Sequence, residues 1–316
     1  MVNIYWQGVR EKWHEYRTFL AGIVKYAFVV YPRGPEEIGN YVSQEERTAL
    51  PVVGVVGRIT PGSRSPAGIV LGIPQQIESL EQRSTEDLHM LLSEIEGYID
   101  VPYFGLAGRL PALFSRRGIP LGEKFVTGEF GTYWAIEDCV IEALRVRGIS
   151  YGEKVGVLGF GRIGRMFLAN FIQHGFGNVV GLDQGLRRPR VWRGITVTNE
   201  LEAVRNCKLL VVVTAQGKDL EPFIPFMRQD IVVLDDTYPE IPAEMLGRIP
   251  GEVYKIALGL EGVRFDPPLP GFQPDWIPGC VAEAIVRTMG FQPTTQTEFN
   301  RVAREIALRA LLTPVR

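Results

Sequence analysis

The chain has 316 residues, 46% hydrophobic and 22% charged, and its 34 basic and 36 acidic side chains leave a formal net charge of −2. That is material for roughly two globular domains, and it excludes a disordered or collagen-like chain. The even charge balance gives no support for a nucleic-acid partner.

The opening MVNIYWQGVREKWHEY lacks the apolar core of a secretory signal. No apolar stretch approaches the roughly 20 residues that a membrane helix needs. The cysteines Cys139, Cys207 and Cys280 form no CxxC pair, so neither a disulfide framework nor a metal site is expected. The expectation is a reduced, cytoplasmic, soluble enzyme.

Along the chain, Trp6 to Tyr16 mixes aromatics and charges at helical spacing, and Gly22 to Tyr31 reads as a strand or short buried segment. Pro51 to Gly57 predicts a strand, Thr60 to Ala67 a Pro/Gly/Ser-rich loop, and Gly68 to Ile73 another apolar run. Ser84 to Ile99 places Leu88, Leu91, Leu92 and Ile95 on one helical face, with Ser84-Thr85-Glu86-Asp87 as cap and acidic first turn. Thr132 to Val146 predicts an amphipathic helix bearing Trp134, Ile136, Val140, Ile141 and Leu144.

The next stretch parses as strand (Val155 to Leu158), glycine turn, helix (Arg162 to His174) and strand (Val179 to Leu182). Leu209 to Thr214 and Ile231 to Leu234 are short continuous apolar runs, the pattern of parallel strands covered on both faces. Near the C-terminus, Pro278-Gly279 opens a helix over Cys280 to Met289, and Phe299 to Leu312 predicts a last amphipathic helix, a possible interface of a homo-oligomer. The expected architecture is α/β. A doubly wound parallel Rossmann domain over 131–275 is flanked by a second α/β domain built from 1–130 with 276–316.

Gly159-Phe160-Gly161-Arg162-Ile163-Gly164 is GxGxxG, directly after an apolar strand and opening a helix. In that context Gly159 allows the tight turn, Gly161 lets the backbone approach a pyrophosphate, and Gly164 lets helix and strand pack closely. Asp183 lies 22 residues past the middle glycine, where a carboxylate binds ribose hydroxyls and favours NAD over NADP. Arg187 and Arg188 offer the alternative of holding a 2′-phosphate. Thr214 and Asp236, at the ends of later strands, join the expected cofactor contacts. The bland alternative is a Rossmann-like domain that binds no dinucleotide, or binds S-adenosylmethionine.

His14, His89 and His174 all sit where a structural or surface role is the simpler reading, and no histidine follows the last Rossmann strand. Cys139 and Cys207 read as buried, inert thiols. Cys280 starts a helix, where the dipole and free N–H groups stabilise a thiolate. Such a thiolate can attack an acyl thioester or aldehyde; a small residue packed at a helix start is the alternative. Glu283 reads as an acid/base or a first-turn carboxylate. Asp235, Asp236 and Tyr238 end a strand at the edge where ligands bind in open α/β sheets, and Thr127 and Glu129 lie where the chain crosses between domains.

Phe125-Val126-Thr127-Gly128, Asp235-Asp236-Thr237-Tyr238-Pro239 and Gly279-Cys280-Val281-Ala282-Glu283-Ala284, followed by a final helix, resemble segments of the long-chain acyl-[acyl-carrier-protein] reductases over about 100–312. The resemblance implies that Cys280 is the nucleophile. It takes an acyl group from acyl carrier protein or coenzyme A, and hydride transfer then releases an aldehyde. That family uses NADPH and a looser glycine turn. Two other readings stand beside it: an NAD-dependent dehydrogenase of a small hydroxy or amino acid without a covalent intermediate, and a nucleotide-binding protein or methyltransferase on the same fold.

Overall fold

The structure, a computed structural model, describes residues 23–34, 37 and 53–315. The segment Trp6 to Tyr16, with His14, and the start of the strand expected at Pro51 lie outside the described residues.

Along the chain the elements are β1 (Val24–Val30), β2 (Gly54–Thr60), β3 (Ala67–Gly72), α1 (Ile77–Glu81), α2 (Thr85–Tyr98), β4 (Tyr103–Leu106), α3 (Leu110–Arg116), β5 (Phe125–Val126) and α4 (Glu129–Arg147). There follow β6 (Lys154–Leu158), α5 (Arg162–Gln173), β7 (Val179–Leu182), β8 (Arg190–Trp192), β9 (Ile195–Thr198), β10 (Cys207–Val212), β11 (Val232–Asp235) and β12 (Glu252–Lys255). The last are β13 (Arg264–Asp266), α6 (Gly279–Thr288), α7 (Gln296–Glu305) and β14 (Thr313–Pro314). Two compact units result: residues 1–132 with 259–308, and residues 133–258 with 309–316.

In the first unit a six-stranded sheet runs in the order β13-β2-β3-β1-β4-β5. Strands β3, β1, β4 and β5 are parallel, while β2 and β13 are antiparallel additions at one edge. Because β13 pairs with β2, residues 259–275 belong to this unit, not to the neighbouring one where the sequence reading put them. The helix α6 packs on β1 and β4. Six of its residues from Val281 to Val286 are buried, the signature of a helix apolar on nearly every side. The expected cap on α2 forms in full: Ser84 Oγ accepts the Asp87 N–H at 3.0 Å and Asp87 Oδ2 accepts the Ser84 N–H at 3.3 Å, a reciprocal box that satisfies two otherwise orphan donors.

In the second unit an eight-stranded sheet runs β14-β12-β11-β10-β6-β7-β9-β8. The six strands from β12 to β9 are all parallel. Counted from β6 and leaving out the hairpin strand β8, their order is 3-2-1-4-5-6, the Rossmann doubly wound order, with the switch point between β6 and β10. The core gathers Leu158, Leu182, Leu210, Val212, Phe223, Val233 and Val253, all but inaccessible; cutting such a leucine to alanine costs about 2–5 kcal/mol. Cys207 lies inside β10, not ahead of it.

One expected helix is shorter than its pattern. Phe299 to Leu312 is helical only to Glu305. Ala307 turns left-handed at φ 59°, its N–H bonds Arg304 O, and Leu308 N–H reaches back to Ala303 O at 2.9 Å. That pattern closes a helix C-terminus. Leu311 and Leu312 therefore leave the helix, and Thr313 pairs antiparallel with Lys255 in the second unit.

Candidate functional site

The glycine turn sits at the end of β6, beside the switch point. Gly159 has φ +108°, a conformation open to glycine, and its N–H donates to Leu182 O at 2.8 Å. A side chain at Gly164 would run into the carbonyl of Gly159, so this glycine is there for close packing. Gly161 differs: a Cβ built there meets nothing within 4 Å. It is also the N-cap of α5 and, having no side chain, makes no side-chain cap there. The positive end of a helix, approached through a glycine with open space beside it, is the setting of an anion cradle. The residues present thus fit the pyrophosphate of a dinucleotide.

Asp183 follows β7. Its Oδ2 accepts the Phe160 N–H and its Oδ1 the Gly185 N–H, each at 2.7 Å. A carboxylate offers about four acceptor positions, so Asp183 both pins the turn and keeps capacity for ribose hydroxyls. Phe160 is buried, with Trp192 edge-on at 5.6 Å and the guanidinium of Arg190 over its ring at 4.4 Å.

At the carboxyl ends of β10, β11 and β12 the second unit gathers a polar network. Thr214 Oγ1 donates to Gln216 O at 2.9 Å and so shapes its own turn. Asp235, nearly inaccessible, accepts the Thr237 N–H at 2.9 Å and hydroxyl at 2.6 Å, and the Ile241 N–H at 3.2 Å. Lys255, equally buried, donates to Thr237 O at 2.6 Å and lies 3.4 Å from Asp235 Oδ2. Enclosure by the protein pushes the Asp236 carboxyl up to about 7, with Lys255 pulling it down and Asp235 pushing it up. Tyr238 is half-buried beside this network. Lys255 was not singled out from the sequence: Glu-Val-Tyr-Lys carries a charge at each end and gives no strand signal, and only the topology puts it beside β11.

In the first unit, the carboxyl ends of β1 and β4 bring together Tyr31, Gly108 and Arg109. Tyr31 Oη accepts the Arg109 N–H at 3.1 Å, and the Arg109 side chain pairs with Glu78 at 2.9 Å and Glu81 at 2.5 Å. Burial raises the Tyr31 hydroxyl to about 12; Arg109 opposes the shift, while Cys280 and Glu78 add to it. Cys280 therefore stands within electrostatic reach of Tyr31, which the sequence reading did not anticipate. Cys280 is part-exposed in the first turn of α6, whose N-cap Pro278 supplies no side-chain cap. Cys139 and Cys207 are buried; burial drives Cys139 far up and Cys207 to about 11.

The start of α6 lies so close to 128–132 that side chains at Gly128 and Gly131 would collide with the backbone of Cys280 and Gly279. Glu283 fastens this contact. It is 4% exposed, bonded to Arg287 at 3.0 Å and to the Phe130 backbone N–H. Burial raises its pKa, against Arg287. That placement makes Glu283 a positioning residue for the Cys280 turn. Thr127 is exposed and Glu129 half-buried. His89 lies exposed on α2, and His174 ends α5 at 3.8 Å from Glu137. Among the described residues no group of side chains is set to hold a metal ion, and no helix is long and apolar enough to cross a membrane.

No protein-family model matches the chain, and no curated protein matches it. Solved structures do. Shikimate 5-dehydrogenase from Thermus thermophilus, in complex with NADP(H) and shikimate, matches at 16% identity and TM-score 0.40, over 90% of this chain and 99% of that one. The NAD-dependent malic enzyme of Thermotoga maritima matches at 14% identity and TM-score 0.42, over 80% and 71%. A D-isomer specific 2-hydroxyacid dehydrogenase from Lactobacillus delbrueckii, in its NAD-complexed form, matches at 13% and 0.35, over 90% and 96%. The strand order and glycine turn of this chain by themselves define a Rossmann-type α/β fold with a second α/β unit.

Proposed function

We propose that this chain is an NAD(P)-dependent oxidoreductase that moves hydride to or from a small hydroxy or amino acid without a covalent intermediate. The observation that carries the reading is the open space at Gly161, the glycine N-cap of α5 directly after β6, with Asp183 bonded to the same turn. A bound nicotinamide would supply or accept the hydride. The backbone of Gly161, Arg162 and Ile163 would hold the pyrophosphate, and Asp183 the adenosine ribose.

A second reading rests on Cys280, the part-exposed cysteine at an uncapped helix start. Its thiolate would attack the carbonyl of an acyl thioester and expel the carrier thiolate of coenzyme A or acyl carrier protein. Hydride delivery to the enzyme-bound acyl group would then release an aldehyde and restore the thiolate.

The test has two stages. Calorimetric titration with NAD(H) and NADP(H) comes first; binding of neither refutes both readings. Turnover of hydroxy and amino acids is then followed by nicotinamide absorbance before and after thiol alkylation. Activity that survives alkylation supports the first reading. An acyl adduct on Cys280 in intact-protein mass spectra, discharged to aldehyde by reduced cofactor, replaces it with the second.

A further inference from the structure

Between Gly159 and Asn199 the sequence holds six arginines, no lysine and one acid, Asp183. Five of those arginines, Arg165, Arg187, Arg188, Arg190 and Arg193, are exposed and have no carboxylate partner among the described residues. Several arginines elsewhere are matched: Arg109 with Glu78 and Glu81, Arg145 with Glu142, Arg147 with Glu252, Arg228 with Asp230, Arg248 with Glu221.

Three of these cations gather around Phe160 and Trp192. Arg190 and Arg165 stand over the Phe160 ring at 4.4 and 5.7 Å, Trp192 meets the same ring edge-on, and Arg193 stands over Trp192 at 5.1 Å. Arg187 and Arg188 lie on the loop that leaves Asp183. Asp183 is a single carboxylate against five arginines, and its two oxygens accept backbone N–H groups of the glycine turn and the following loop, with no arginine among the described residues paired to it. Like charges gathered this way repel unless an anion sits among them, and guanidinium groups bind phosphate in a bidentate fork. The pyrophosphate of a dinucleotide already has the helix N-terminus, so this second cationic cluster calls for a second phosphate.

We infer that the arginine-lined edge around Phe160 and Trp192 is a seat for a phosphomonoester on the adenosine ribose, as in NADP(H) or coenzyme A. The inference rests on the nucleotide reading above and reverses the preference for NAD that Asp183 alone suggests. Selectivity would come from Arg187, Arg188 and Arg190, which are exposed and have no carboxylate partner among the described residues.

The test is calorimetric titration of the full chain with 5′-AMP, 2′,5′-ADP and 3′,5′-ADP, repeated with Arg190→Gln and with the Arg187→Gln/Arg188→Gln double variant. One bisphosphate is expected to bind at least tenfold tighter than 5′-AMP, about 1.4 kcal/mol. Each variant is expected to erase most of that gain while leaving 5′-AMP affinity unchanged. A preference for 2′,5′-ADP identifies NADP(H), and one for 3′,5′-ADP identifies coenzyme A; either supports the seat. Equal affinity for all three probes overturns the inference, as does a preference that survives both variants. Failure of every adenosine nucleotide to bind overturns the nucleotide reading itself.

Discussion

Two alanines three residues apart in the glycine turn should have opposite consequences. At Gly161 the backbone has φ −69° and ψ −166°, a conformation that any residue adopts, and a Cβ would meet nothing within 4 Å. Alanine there gains about 0.4–1 kcal/mol from a stiffer unfolded chain and loses up to about 1 kcal/mol as a poorer helix N-cap. Gly161→Ala should therefore leave the urea midpoint nearly unchanged. Its methyl group fills the space a pyrophosphate would use, so nucleotide affinity should fall at least tenfold, about 1.4 kcal/mol. At Gly164 a Cβ would come within 2.9 Å of the Gly159 carbonyl carbon and overlap its oxygen. The helix must move off the strand, at a cost at or above the upper end of overpacking, about 3 kcal/mol. Urea unfolding and calorimetric titration on the same samples separate the two effects. A Gly161→Ala protein that binds dinucleotide as tightly as the native chain would refute the cradle.

Lys255→Met should destabilise the second unit by about 3–5 kcal/mol in urea unfolding, because it leaves the buried Asp235 carboxylate without its cation; a loss below 1 kcal/mol would show that the pair contributes little. The Asp236 carboxyl, raised to about 7 in the folded chain, binds its proton more tightly folded than unfolded. Its contribution to stability is therefore complete below about pH 4 and is lost as pH rises toward 7 and beyond. Asp236→Asn should flatten that decline and stabilise the protein at pH 8 by about 2–4 kcal/mol, read as unfolding free energy against pH; an unchanged slope contradicts the assignment. With iodoacetamide, native protein should be labelled at Cys280 first, and Cys139 and Cys207 only after unfolding; peptide mapping decides it, and equal rates would contradict their burial.

The second unit was legible from sequence because its signals are local. An apolar run, a GxGxxG turn and an amphipathic helix lie within 20 residues of one another, from Val155 to His174. Asp183 was found by spacing alone, as a partner for ribose hydroxyls; its bond to the Phe160 N–H of the glycine turn was not foreseen. Other features depend on distant partners. Tyr31 and Cys280 are 249 positions apart and meet because α6 packs on β1 and β4. Glu283 reads as an acid/base or a first-turn carboxylate, and the same packing buries it against Arg287 and Phe130. The last helix was overextended because Leu308, Leu311 and Leu312 continue its apolar spacing, while the stop signal is a left-handed alanine that no propensity favours.

The eight-stranded sheet ends on both sides in antiparallel strands of three and two residues, β8 and β14. Between them lie six parallel strands, whose open flanks would otherwise offer rows of unpaired N–H and C=O groups to another molecule. The short borders spoil that template: β8 carries Arg190 at its start, and β14 ends in Pro314, which has no N–H to give. Removing 313–316 would bare the rim of β12 and invite strand-on-strand growth. A fusion partner or tag is therefore better placed where Thr313 and Pro314 stay paired with β12.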